Sequence, residues 1–198
     1  IAPVDGKIQI AVDFSDGNSS FTLPRAVIQE RTAPVQPVHC DDEGFYPAWM
    51  PYSPVQSTYL LNPTGDKASF SFTAKPLYNE YDTKIAYFSN ENNVAAVSDF
   101  QFEFLFGANG TISAIDGDKH KCEDTVKYEL GGEYRFDVTV DVKARKYSAV
   151  VTAPDGKTYT LANDYEFRYT SAPATTIDAV VLVGRPDSLV VKNHSLAK

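Results

Sequence analysis

The chain has 198 residues, enough for one domain with a sizeable core. Its formal charge is -8 and its Lys and Arg never cluster, which argues against nucleic acid and against anionic membrane surfaces. No apolar run approaches the ~20 residues of a membrane helix, so membrane insertion is not expected either. Aromatics make up 13% of the residues, with 12 Tyr and 12 Phe, and such side chains favour strands.

In chain order, strand signals recur and helical periodicity does not. "KIQIAVDF" (7–14) alternates apolar and polar residues. The span 34–63 carries Pro34, Pro37, Pro47, Pro51, Pro54 and Pro63 and reads as a long ordered loop, because Pro removes ladder donors. "SFSFTA" (69–74) puts Phe70, Phe72 and Ala74 on one face. "KIAYFS" (84–89) is a further strand. "DFQFEFLF" (99–106) places Phe100, Phe102, Phe104 and Phe106 inward, with Gln101 and Glu103 outward. The turn Ala108-Asn109-Gly110 leads to "TISAI" (111–115). "YRFDVTVDV" (134–142), "KYSAVVTA" (146–153), the turn Pro154–Lys157 and "TYTLA" (158–162) follow. "IDAVVLVG" (177–184) is nearly all apolar, as in a strand covered on both sides. Nine or ten strands with short links predict an all-β, two-sheet antiparallel sandwich of jelly-roll type, as a single domain over 1–198.

The run from "YRFDVTVDV" through "RKYSAVVTAPDGKTYTLANDYEFR" to "IDAVVLVG", with "FQFEFLFGANGTISAID" as the preceding hairpin, resembles concanavalin A-like, laminin-G-like jelly-roll domains of secreted microbial polysaccharide-active proteins. The resemblance covers roughly the last 115 residues, and its motifs are structural. It implies the sandwich fold, a glycan partner and, in the enzyme members, chemistry on the concave sheet. The E-x-D-x-x-E strand of jelly-roll glucanases is absent, and "EYDTK" (80–84) lacks its second Glu. The R-x-E-L-R and Q-I-H motifs of jelly-roll alginate lyases are absent too.

Three groups of residues are candidates for a site. Arg135, Asp137, Thr139 and Asp141 share one strand face. Asp137 and Asp141 are roughly 13 Å apart there, too far for a retaining glycosidase pair at about 5 Å. Pairing with Glu103 across strands stays open, and Gln101, Glu103, Arg135 and Asp137 are candidate hydrogen-bonding partners for sugar hydroxyls. A solvated sheet face explains the alternation equally well.

The second group rests on a Cys40–Cys122 disulfide, the simplest pairing of two cysteines in a secreted chain, with two buried free thiols of a cytosolic protein as the alternative. It brings His39 toward His120 and gathers Asp41, Asp42, Asp116 and Asp118 as candidate ligands for calcium. An acidic solvated loop pair is the plain alternative. If the protein is an enzyme, a polysaccharide lyase is favoured over a hydrolase. His39, His120, Arg135 and Tyr147 are then its candidate catalytic residues, with Arg145 and Arg168 as further cations. The third group is Tyr46, Trp49 and Tyr52, whose rings suit the apolar faces of sugars or plug one end of the sandwich.

Three N-glycosylation sequons, at Asn18, Asn109 and Asn193, are weak support for secretion. The start at Ile1 fits a removed signal or an excised domain. The expected function is carbohydrate binding. Alternatives are a lyase or hydrolase acting on a uronate-bearing glycan, and a surface adhesion module.

Overall fold

The computed structural model describes residues 58–92, 96–184 and 188–197. The expected strand at 7–14 and most of the Pro-rich span lie outside them. Eleven strands are present among the described residues: β1 Thr58–Leu60, β2 Lys67–Pro76, β3 Thr83–Phe88, β4 Phe102–Phe106, β5 Thr111–Asp116, β6 Lys119–Lys127, β7 Tyr134–Asp141, β8 Lys146–Thr152, β9 Thr158–Glu166, β10 Ala179–Val183 and β11 Leu189–Lys192. They form a six-stranded sheet, β1-β10-β3-β4-β5-β6, and a five-stranded sheet, β11-β2-β7-β8-β9. Every pairing is antiparallel. Early strands pair with late ones, β1 with β10 and β2 with β11, so the chain rolls up on itself as a jelly roll does. The two-sheet antiparallel sandwich expected from the sequence is what the structure shows. No helix among the described residues is long and apolar enough to cross a membrane.

The core lies between the sheets because the alternating residues point there. On β4, Phe102, Phe104 and Phe106 turn inward, and on β7 Phe136, Val138 and Val140 do so. Phe72 stacks on Phe136 at 4.7 Å, and Phe102 stacks on Tyr147 at 4.5 Å. Each such ring contributes about 1.5–3 kcal/mol by leaving water. A smaller apolar cluster covers the outer face of the six-stranded sheet, with Ala86, Phe88, Phe100, Ala179 and Val181. β10 therefore has apolar neighbours on both faces, as its sequence predicts.

Phe100 is a correction. It was expected inward with the other three Phe. A 3-10 turn at Val97–Asp99 precedes β4, so the alternation starts only at Phe102 and Phe100 packs on the outer face. A second correction concerns "DGDKHKCED" (116–124), which carries Asp116, Asp118, His120 and Cys122 and which the second candidate group and its plain alternative both place in a loop. Most of it is β6, paired to β5 around the tight turn Gly117-Asp118. Only Val126 of that strand is buried, so no alternation marks it. The Asn109 turn forms as expected: the Asn109 Oδ1 accepts from the Thr111 amide at 3.0 Å and the Thr111 hydroxyl at 2.7 Å.

Candidate functional site

Inward Phe102 and Phe104 force Glu103 to the outer face of the six-stranded sheet, where it is fully buried. Its neighbours arrive from three other segments. Lys84, on the adjacent β3, donates from Nζ to Oε1 at 3.0 Å. His120 reaches the same oxygen from β6, two strands away, with Nε2 at 2.8 Å. Arg168, just past the end of β9, sets Nη2 3.1 Å from Oε2, within ion-pair reach but out of line for a hydrogen bond. The Arg168 Nε is buried without a hydrogen-bond partner.

Burial alone would push the Glu103 carboxyl up. The hydrogen bond from His120 and the charges of Lys84 and Arg168 outweigh it and hold the pKa at about 2. Glu103 is thus ionised, and His120 must carry its proton on Nε2 to donate. In the neutral ring Nδ1 then remains as an acceptor on a side chain about a third exposed, at 32%. Among the described residues one carboxylate faces two permanent cations, so they give the cluster excess positive charge inside a protein of charge -8.

Arg168 is held from behind. The guanidinium of Arg145 donates to the Arg168 carbonyl at 2.9 Å and to the Ser171 hydroxyl at 2.8 Å, and the Arg168 amide donates to the Gln101 carbonyl at 2.7 Å. Arg145 is therefore a positioning residue and not a free cation. The next side chain, Tyr169, is 67% exposed. Its ring packs against Gly117 in the β5–β6 turn. A Cβ at Gly117 would sit 2.5 Å from it, and Gly117 has φ of 59°, so both space and backbone call for glycine.

The other expected residues divide as follows. Gln101 does not face a ligand: it is buried, its Oε1 accepting from the Ser89 amide at 3.1 Å and its Nε2 donating to the Ala172 carbonyl at 3.1 Å. Tyr147 is no accessible base. It sits in the core, its hydroxyl donates to the Ile115 carbonyl at 2.5 Å, and burial pushes its pKa well up. Replacing it by Phe should cost about 1–2 kcal/mol of unfolding free energy in a urea titration and leave glycan retention unchanged.

Arg135 and Asp137 pair with each other through two bonds, 3.1 and 2.8 Å, on the outer face of the five-stranded sheet. Glu103 lies on the outer face of the other sheet, so the core separates them and the open Glu103–Asp137 pairing is excluded. Asp116 is engaged by Lys121 at 2.6 Å and by the Glu166 amide at 3.0 Å, with the Lys121 hydrogen bond chiefly lowering its pKa. Asp118 is exposed at the turn. Cys122 is half-buried on β6 and has no disulfide partner among the described residues. Its expected partner, Cys40, lies outside them, and so does His39, whose approach to His120 was expected from that pairing. His39, Cys40, Asp41, Asp42, Tyr46, Trp49 and Tyr52 lie outside the described residues. Among the described residues, no three His, Cys, Asp or Glu side chains group as metal ligands do.

No protein-family model matches the chain. A gellan lyase of a Bacillus species is 33% identical over 81 residues, which is 40% of this chain and 3% of that protein. The chain thus spans a small fraction of that relative. Among solved structures, a sialidase matches with TM-score 0.47 at 17% identity, over 66% of this chain and 11% of that one. Peanut lectin matches with TM-score 0.46 at 15% identity, over 67% and 77%. The Caenorhabditis elegans galectin LEC-6 matches with TM-score 0.45 at 13% identity, over 77% and 94%. Likenesses at this level carry neither a ligand nor a reaction to this chain.

Proposed function

We propose that the chain is a carbohydrate-binding module of a secreted polysaccharide-active system, and that its ligand is an acidic glycan. The observation that carries this reading is the excess positive charge around Glu103. Two permanent cations beside one carboxylate are costly to bury unless an anion joins them. A uronate carboxylate supplies that anion to Lys84 and Arg168. Tyr169, exposed next in the chain, offers a flat face for the apolar side of a sugar ring. The partial similarity to a gellan lyase supports an acidic polysaccharide as the first polymer to try.

Retention of the protein on a gellan column is the direct test. Saturable retention is expected, weakened by salt because the contact is ionic. Tyr169→Ala and Lys84→Met should each lower affinity by about tenfold, the worth of one stacking or ionic contact. Unchanged retention in both variants, with their folds intact, would move the site elsewhere.

A catalytic reading has one observation in its favour. His120 is fixed by Glu103 through Nε2, so Nδ1 of the neutral ring stays available as a base, and Lys84 and Arg168 lie where a uronate carboxylate needs neutralising. A lyase yields unsaturated uronide absorbance and new reducing ends together. A binding module yields neither.

A further inference from the structure

The outer face of the five-stranded sheet carries a different chemistry. Its side chains form cross-strand rows. Lys67, Asp141 and Lys146 make one row, and Ser69, Thr139 and Ser148 the next. Ser71, Asp137 and Val150 follow, then Thr73, Arg135 and Thr152. The charges cancel in place. Lys67 pairs with Asp141 at 2.8 Å, Lys146 with Asp164 at 2.6 Å, and Arg135 with Asp137 at 2.8 Å. The hydroxyls of Ser69 and Thr139 bond no other described residue.

Two open grooves run along this face, of about 440 and 420 Å³. Both include Ser69, Thr139 and Ser148, so they form one trough. Its far part is floored by Val150, 39% exposed, and bounded by Ser195. Each volume is in the range of small-ligand sites.

We infer that this trough is a second glycan-binding surface, and that it takes a neutral, hydroxyl-rich polysaccharide chain. Local neutrality argues against an acidic ligand here: the carboxylates of Asp137, Asp141 and Asp164 line the trough and their cations are already engaged. Ser and Thr hydroxyls both donate and accept, which matches the hydroxyls of a sugar chain. Exposed Val150 meets a ring's C–H face. The trough stands on observations independent of the Glu103 cluster. The sandwich separates the two surfaces, so one module can hold a neutral chain on one face and an acidic chain on the other.

The test uses the whole chain and three soluble neutral polymers, glucomannan, xyloglucan and starch, followed by titration calorimetry. Saturable binding to one of them is expected. Thr139→Arg, which fills the trough, should weaken that binding by at least about tenfold, the loss of more than one hydrogen bond. Ser69→Lys should act in the same way and serves if the first variant unfolds. Tyr169→Ala should leave neutral binding intact. The inference is overturned if none of the three polymers binds saturably, or if both trough variants bind as the parent does. Gellan retention by the trough variants separates its failure from failure of the acidic site.

Discussion

Glu103→Gln should lower the stability of the protein by about 3–5 kcal/mol, the usual cost of breaking a buried ion pair from one side. Gln keeps the shape and removes the charge. Lys84 and Arg168, both mostly buried, then face no carboxylate. His120 loses its ionised acceptor as well. For a chain of this size the melting temperature should fall by about 10 °C. Adding Lys84→Met should recover part of the loss, because it removes one of the stranded cations. The pair therefore couples, and a double-mutant cycle measures the coupling. A single-variant shift within about 2 °C of the parent would mean that Glu103 does not hold the cluster.

A second large effect concerns acid. His194 is buried, with its ring stacked near Phe70 and Phe72 at 5.2 and 5.5 Å. Nδ1 accepts from the Leu196 amide at 3.2 Å, and Nε2 lies 3.0 Å from the Tyr87 hydroxyl. Burial lowers its pKa from 6.5 to about 3. The unfolded chain therefore takes up a proton below pH 6.5 that the folded chain refuses. Stability from neutral His194 is complete above pH 6.5 and falls as the pH drops toward 3. The loss between pH 6.5 and 4.5 should be on the order of 2–3 kcal/mol. Glu103 acts in a different window, because its contribution falls only as the pH drops from 4.5 toward 2. Urea unfolding at pH 7, 6, 5 and 4.5 resolves the His194 limb. His194→Phe should be less stable at pH 7 and lose most of the slope. A slope that persists in the variant would assign the acid limb to another group.

The parts of the fold that show in the sequence are those where one face is buried and the other wet. β2, β7 and β8 alternate cleanly, and the turns at Asn109 and Pro154 carry residues chosen by backbone geometry. β6 does not show, because nearly all of its side chains meet solvent. β11 does not show, because four residues are too few for a pattern. Of the candidate site, Glu103 and His120 were visible as residue types, yet their meeting was not. Lys84, His120 and Arg168 lie on three separate segments, and only strand pairing brings them to one carboxylate. Tyr169 had no signal beyond following Arg168. Tyr147 misled because its place in the alternation of β8 turns it to the core, where a phenol serves packing and a single hydrogen bond.

The pairing of early with late strands has a consequence for biosynthesis. Leu61 bridges Ala197, β1 borders β10, and β11 closes one edge of β2. A ribosome delivers β2 long before β11, so the open edge of β2 waits for more than a hundred residues of synthesis. Such long-range closure is slow to form and exposes strand edges meanwhile. Lys67 and Lys75 on β2 provide charge that discourages wrong partners during that interval. Completion of the sandwich is therefore a late event, set by the arrival of residues 189–197.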